Sequence, residues 1–216
     1  MPLLRRTTVA RNFRANPSWT MLPEGRWHDE LMDVAGWDEM YRSGERGKED
    51  EPTILLTETA ASLAPGAAID LACGTGRNAL YLAEKGWDVT ALDGSEKAVE
   101  LVTLRAAARG LNVRTMVADL TAASFTMLRD SFDLIVIAFY LQRNLFAKVK
   151  TAVRPGGLVL AIVHTPEAGE KRSDKRAAPG ELRGFFTGWE ILRDYEGPSR
   201  DPAHRKPVAE IVARRP

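Results

Sequence analysis

The stretch DLACGTGRNALYLAEKGWDVTALDGS, residues 70–95, decides the fold of this chain. It begins at the end of a short apolar run (67–72), continues through a helical pattern (77–85) and a second apolar run (87–92), and carries an acidic residue at the end of each run. A strand, a glycine turn, a helix and a second strand form the repeating unit of a parallel α/β sheet. Ligands of such sheets bind beside this turn, so the stretch also predicts a binding site.

The alternation of helix and strand continues along the chain. Further strands are predicted at 112–118, 132–139 and 158–163, and helices at 30–44, 53–63, 96–110 and 143–153, with Thr53 and Ser95 as N-caps and Pro155-Gly156-Gly157 ending the last helix. The segments 189–197 and 207–216 read as a terminal pair of strands. We therefore expect a doubly wound, mostly parallel seven-stranded sheet, with helices on both faces and an antiparallel C-terminal edge.

Length and composition limit the class of protein. The 216 residues suit one domain, predicted at 30–216, and a net charge of +1 makes nucleic acid an unexpected partner. The single cysteine excludes an internal disulfide and a cysteine-based zinc site, and it fits a reducing, cytoplasmic compartment. No metal is predicted, no apolar run is long enough to cross a membrane, and the sequence leaves the oligomeric state open.

The N-terminal segment is rich in arginine. Residues 1–22 carry four arginines, and no acidic residue precedes Glu24. We interpret residues 1–29 as an extension: a disordered arm, a segment from an upstream translation start, or a transit peptide.

Three ligand classes use a glycine turn at this point of a fold. A nucleoside-triphosphate loop requires lysine after its second glycine, but Arg77 stands there. A dinucleotide fingerprint is matched by Gly74, Gly76 and Ala79, which keeps an NAD(P)-dependent oxidoreductase as an alternative. The carboxylate of Asp70 beside the turn would repel a pyrophosphate and attract a cationic ligand group.

Acidic residues follow three successive strands and together predict one site. Asp70 would face the ammonium of the methionine part of S-adenosylmethionine, and Asp93 could accept both ribose hydroxyls. Asp119 could accept the adenine amino group, because an ionised carboxylate only accepts hydrogen bonds. A cap or turn role for Asp119 alone remains an alternative.

These motifs resemble those of class I S-adenosylmethionine-dependent methyltransferases. From about residue 37 to residue 216 the chain is most similar to the tellurite-resistance group, which is related to thiopurine methyltransferases. The resemblance is carried by residues 70–95 and by WDEMYRSGE (37–45), FYLQRNLF (139–146), VRPGGLVL (153–160) and PGELRGFFTGWEIL (179–192). Ala72 stands where the superfamily often has glycine, and Gly94 stands where a bulkier residue normally contacts the adenine.

The resemblance implies methyl transfer from S-adenosylmethionine to a small-molecule acceptor, leaving S-adenosylhomocysteine. The acceptor would be a thiol, a thiopurine or a chalcogen oxyanion; an S-adenosylmethionine-binding protein without catalysis is the alternative. Residues implied in cofactor binding are Trp37, Tyr41, Arg42, Asp70, Ala72, Cys73, Gly74, Thr75, Gly76, Asn78, Asp93, Gly94, Ser95, Ala118, Asp119, Leu120, Ala138 and Phe139.

No residue of the sequence stands out as a strong general base. Tyr140, Gln142 and His164 are the candidates on the acceptor side, because they follow the fourth strand or end the fifth. A soft, readily ionised acceptor needs no strong base when the two reactants are held close and aligned. Cys73 is interpreted as a small apolar residue of the turn and not as a nucleophile. The charged loop 165–181 is predicted to be either a lid or disordered.

Overall fold

A seven-stranded sheet with helices on both faces organises this computed structural model, which describes residues 33–44, 49–167, 169–170 and 173–216. The strands are Ala67–Leu71 (β1), Asp88–Asp93 (β2), Val113–Val117 (β3), Phe132–Ala138 (β4), Val153–His164 (β5), Glu190–Gly197 (β6) and Val208–Arg214 (β7). The helices are Val34–Ser43 (α1), Ile54–Ala60 (α2), Arg77–Glu84 (α3), Glu96–Ala108 (α4), Leu145–Ala152 (α5) and Glu181–Gly184 (α6). The extension predicted for residues 1–29 lies outside the described residues.

The sheet has the strand order β3-β2-β1-β4-β5-β7-β6. Strands β1 to β5 are parallel, and β7 runs antiparallel to both β5 and β6. The predicted fold class is therefore confirmed. The terminal hairpin inserts β7 between β5 and β6, so β7 is almost wholly buried, while β6 forms the edge and alternates between exposed and half-buried residues.

Two hydrophobic clusters cover the two faces of the sheet. On one face, Leu71 and Ile137 belong to a cluster that contains Phe146 of α5. On the other face, Val136 belongs to a cluster that contains Leu82 of α3. Because the chain leaves β1 toward β2 on one side and reaches β4 on the other, a crevice forms at the carboxyl ends of these central strands.

One local prediction was only partly right, and another was wrong. Thr53 is the N-cap residue of α2 as predicted, but its side chain makes no capping hydrogen bond, and its backbone N–H donates to Asn78 Oδ1 at 2.9 Å. Pro155-Gly156-Gly157 does not separate α5 from the next strand, because β5 already begins at Val153. Hydrogen bonds between Gly156 and Arg215, and between Arg215 and Gly157, hold this segment against the C-terminal end of the chain.

Other local expectations hold. Ser95 caps α4, since its Oγ accepts the N–H of Ala98 at 3.0 Å. The short helix α6 within 179–192 was not predicted. None of the helices in the described parts of the chain is long and apolar enough to cross a membrane.

Candidate active site

An open cleft lies at the carboxyl ends of the central strands. Its empty volume is about 1100 Å³, a value that includes space open to solvent. Of the predicted residues, the cleft is lined by Trp37, Tyr41, Asp70, Ala72, Cys73, Gly74, Thr75, Asn78, Asp93, Gly94, Ser95, Asp119, Leu120, Ala138, Phe139 and Tyr140. Arg42, Gly76, Ala118, Gln142 and His164 are not among the lining residues, and their roles stay predictions.

Five further lining residues were not assigned to the site from the sequence: Val34, Glu49, Arg77, Thr121 and His204. Arg77 and Thr121 lie next to predicted site residues, so their spacing could have identified them. Val34 lies three residues before Trp37 on the same helix, so helical spacing could have identified it. His204 reaches the cleft only through the packing of a distant segment, for which the sequence holds no local signal.

The turn between β1 and α3 needs left-handed backbone at three positions. The φ angles are 54° at Ala72, 54° at Gly74 and 85° at Gly76. Glycine adopts this conformation freely, whereas alanine there costs about 1 kcal/mol. This strain gives a physical reason for the glycine that the superfamily often carries at position 72. At Gly76 packing adds a second constraint, because a Cβ would lie 2.8 Å from Val102 Cγ2.

Arg105 of α4 fixes the middle of this turn. Its Nη1 donates to the carbonyl oxygen of Thr75 at 2.9 Å and to Thr75 Oγ1 at 2.8 Å. Its Nη2 forms an ion pair with Asp50. Arg105 does not line the cleft, so it supports the turn without occupying ligand space.

Asp70 lies at the floor of the cleft with 1% of its surface exposed. Its Oδ2 accepts the N–H of Ala79 in the first turn of α3 at 3.1 Å. Burial raises the pKa of Asp70 to about 7; the nearby Asp93 carboxylate adds to the rise, while Ala79 and Arg77 oppose it. A cationic ligand group beside Asp70 would favour the ionised form, so this carboxyl is suited to binding a cation.

Asp93 joins the turn to the start of α4. Its Oδ2 accepts the N–H of Gly74 at 2.8 Å and its Oδ1 accepts the N–H of Ser95 at 2.9 Å. Burial raises the pKa of Asp93, although these two hydrogen bonds oppose the rise. A carboxylate offers about four acceptor positions, so Asp93 keeps acceptor capacity for a ligand hydroxyl beside its bonds to the backbone.

Asp119 forms a turn after β3. Its Oδ1 accepts from both the N–H and the Oγ1 of Thr121, at 2.8 and 2.6 Å. This is the turn role that the sequence left open. The side chain is nevertheless exposed at the cleft beside Leu120, where its second oxygen is able to accept from a ligand.

Helix α1 covers one side of the cleft. Asp38 Oδ1 accepts from Ser95 Oγ at 2.7 Å and from the N–H of Lys97 at 2.8 Å, which ties α1 to the start of α4. Trp37 and Tyr41, with ring centroids 6.1 Å apart, face the cleft. The exposed Arg42 instead forms ion pairs with Asp38 and Glu39.

The opposite wall is aromatic. Phe139 follows β4 with a φ of 59°, and the ring of His204 stacks on it with centroids 3.5 Å apart. Ring centroids of His164 and Phe139 are 5.3 Å apart, which puts His164 behind the wall. Burial raises the pKa of Tyr140 to about 12, so its hydroxyl stays protonated at neutral pH and is able to donate a hydrogen bond.

The loop that carries His204 is fixed to the start of α3. Arg77 Nη2 lies 2.8 Å from Asp201 Oδ2, and the two side chains are only 12% and 7% exposed. Asp201 Oδ1 also accepts the N–H of Ala203. The glycine turn and the aromatic wall therefore share one buried ion pair.

Cys73 and Asn78 have structural surroundings within the cleft. Burial raises the pKa of the Cys73 thiol well above its usual value, and the carboxylates of Asp70 and Asp93 raise it further. The thiol is therefore neutral, as the interpretation of Cys73 as a small apolar residue requires. Asn78 is buried and its Oδ1 accepts the N–H of Thr53, which joins α3 to α2.

The second half of loop 165–181 is anchored. Arg143 donates from Nε and Nη2 to both oxygens of Glu181, and also donates to the carbonyl oxygens of Asp174 and Arg176. Ala177 of the same loop is fully buried. Residues 173–181 thus form a fixed part of the structure, and the hydrogen bonds of Arg143 hold them in place.

Comparisons of the sequence with known proteins find a methyltransferase domain and methyltransferase relatives. Residues 68–157 match a family described as methyltransferase domain. The chain is 32% identical over 154 residues to hemagglutinin 1 of Eikenella corrodens, covering 64% of this chain and 48% of that protein. It is 28% identical over 147 residues to the probable S-adenosyl-L-methionine-dependent methyltransferase TehB of Haemophilus influenzae, covering 63% and 50%. The chain spans about half the length of these curated relatives.

Solved structures show the same fold. The crystal structure of TehB from Haemophilus influenzae matches with a TM-score of 0.65 at 23% identity, covering 85% of this chain and 67% of that chain. A structure described as "Conversion of a Disulfide Bond into a Thioacetal Group during Echinomycin Biosynthesis" matches with a TM-score of 0.66 at 26% identity, covering 84% and 91%. Residues 68–157 thus match a methyltransferase domain, and the chain is similar in sequence and in sheet order to S-adenosyl-L-methionine-dependent methyltransferases such as TehB.

Proposed function

We propose that the protein transfers a methyl group from S-adenosylmethionine to a small acceptor with a soft, readily ionised atom. The observation that carries the proposal is the buried pair of carboxyls, Asp70 and Asp93, on either side of the glycine turn. A cationic ligand with vicinal hydroxyls fits this pair: the ammonium group would bind at Asp70, and the ribose would bind at Asp93. A pyrophosphate would bring further negative charge next to two carboxyls and does not fit.

The chain's own residues would position the reactants and exclude water. When bound, S-adenosylmethionine supplies an electrophilic methyl group. Trp37 and Tyr41 would close the cofactor side of the cleft. Phe139 and the His204 ring stacked on it would form the wall on the acceptor side. Alignment of two reactants in a closed site supplies much of the rate of such a displacement.

The groups on this wall support a soft acceptor. Tyr140 is protonated at neutral pH and is therefore a hydrogen-bond donor and not a base. An acceptor that is already ionised, such as a thiolate, a thiopurine or a chalcogen oxyanion, would be oriented by this hydroxyl without losing a proton to the protein. The echinomycin relative is described by chemistry at sulfur, which makes sulfur the first acceptor class to test.

The test is a methyl-transfer screen with S-adenosylmethionine labelled in its methyl group. The panel contains thiols, thiopurines, selenite and tellurite, with hydroxyl compounds as controls. We expect turnover with one of the soft acceptors and production of S-adenosylhomocysteine. Labelled product from hydroxyl acceptors alone would refute the soft-acceptor proposal. Binding of S-adenosylmethionine without turnover on any acceptor would favour the alternative, a binding protein without catalysis.

A further inference from the structure

Two glycines of the cleft floor lie directly beneath side chains of α1. A Cβ built at Gly74 would lie 2.9 Å from Tyr41 Oη, and a Cβ built at Gly94 would lie 3.0 Å from Val34 Cγ2. Gly74 has a left-handed backbone that itself calls for glycine, but Gly94 has no positive φ. Backbone conformation therefore does not require glycine at position 94. A side chain there would instead be limited by contact with Val34.

Val34 has surroundings that suit a ligand-binding residue. It is the first residue of α1 and is 41% exposed, although it lines the cleft and is apolar. Asp38, one turn further along α1, is held by Ser95 and Lys97. The position of Val34 over Gly94 is therefore fixed by hydrogen bonds that do not involve a ligand.

This part of the cleft has the chemistry of a slot for a flat aromatic base. Val34 and Leu120 supply apolar walls, and Val34 fills the space that a side chain at Gly94 would take. The carboxylate of Asp119 lies at the rim, where it could accept from an exocyclic amino group. Asp93, the residue before Gly94, is the acceptor for the hydroxyls of an attached sugar in the proposed function.

We propose that Val34 is a cofactor-binding residue: it supplies from α1 the apolar contact with the ligand's base that a side chain at position 94 would otherwise make. The cofactor site of this chain is then completed by its N-terminal helix, and glycine at position 94 is the complement of valine at position 34. This inference rests on the proposed function, since it takes S-adenosylmethionine as the ligand.

The test is a double-mutant cycle read out by calorimetric binding of S-adenosylmethionine and S-adenosylhomocysteine to the full chain. Val34→Ala should weaken both ligands about tenfold, the value expected for two methyl groups that lose their contact. Gly94→Val alone should also weaken binding, because it collides with Val34. The double variant V34A/G94V should bind within about threefold of the parent chain, because the contact returns from position 94.

A matched control is Ile54→Ala. Ile54 is likewise the first residue of a helix, is 36% exposed and does not line the cleft, so its truncation should leave both affinities unchanged. Melting temperatures of all variants report whether the fold is kept. Unchanged or tighter binding by V34A, or a double variant weaker than both single variants, would overturn the inference. Failure of the parent chain to bind either compound would instead overturn the proposed function.

Discussion

Replacing Asp70 by asparagine separates the charge of this side chain from its structural role. The amide keeps an oxygen that accepts the N–H of Ala79, so α3 should still start at the same place. What is lost is the negative charge available to a cationic ligand. Charged hydrogen bonds contribute about 1.5–3 kcal/mol, so we expect the affinity for S-adenosylmethionine to fall roughly 10- to 100-fold at pH 7.

The pH dependence of binding gives this prediction its magnitude. With a pKa of about 7, the ionised fraction of Asp70 in the free protein rises from about 3% at pH 5.5 to about half at pH 7. If the ligand binds the ionised form, affinity should rise roughly 15-fold over this interval. The Asp70→Asn variant should lose that part of the rise. It also controls for the titration of Asp93 and of the ligand's own amino group, whose pKa is about 7.7.

The stability of the ligand-free protein should fall as the pH rises, whereas the affinity for the ligand should increase. Because burial raises the pKa of Asp70 from 3.8 to about 7, the folded chain keeps a proton that the unfolded chain releases. Stability is therefore lost as the pH rises between these two values, by about 4 kcal/mol in total. Asparagine has no such loss, so at pH 8 the Asp70→Asn variant should be more stable than the parent chain, with a much smaller difference at pH 4.

The assay combines calorimetric titration at pH 5.5, 6.2 and 7.0 with denaturant unfolding at pH 4 and pH 8. Equal affinity of both proteins, with the same pH profile, would refute the reasoning about charge at Asp70. A variant that unfolds more easily than the parent at pH 8 would refute the reasoning about burial.

Three further outcomes are expected. Gly76→Ala should lower the free energy of unfolding by about 1–3 kcal/mol, because its backbone is left-handed and its Cβ would meet Val102; an unchanged denaturation midpoint would contradict this. Cys73→Ala should keep most of the cofactor affinity and the activity, and complete loss of turnover with intact binding would restore the nucleophile reading. Arg143→Ala should make residues 173–181 more sensitive to trypsin, and an unaltered cleavage rate would show that its hydrogen bonds do not anchor the loop.

The sheet and the floor of the site were predictable because their signals are local. Each parallel strand is a short apolar run followed by a turn or an acid, and a single stretch contains Asp70, both turn glycines and Asp93. Local backbone geometry makes those residue types necessary, since left-handed φ angles at Gly74 and Gly76 favour glycine. Residues of this kind can be read from a sequence without knowing what packs against them.

The walls of the site were not predictable, because distant segments form them. The ring of His204 stacks on Phe139, and the loop that carries His204 is held by the ion pair between Asp201 and Arg77. Nothing in the sequence of the loop specifies either contact. The same holds for Pro155-Gly156-Gly157, which has the composition of a turn but is held in place by Arg215. Arg42 was predicted to face the cofactor, but it forms ion pairs with Asp38 and Glu39 of its own helix.

The central claim, that the carboxyls beside the glycine turn select an adenosyl cation over a dinucleotide, is tested most directly by calorimetric titration of the full chain. We expect S-adenosylmethionine and S-adenosylhomocysteine to bind once per chain and the nicotinamide dinucleotides not to bind. A Gly74→Val variant, whose branched side chain opposes the left-handed backbone and meets Tyr41, should keep its fold and lose the adenosyl compounds. Tight binding of a dinucleotide, with no heat from either adenosyl compound, would contradict the account.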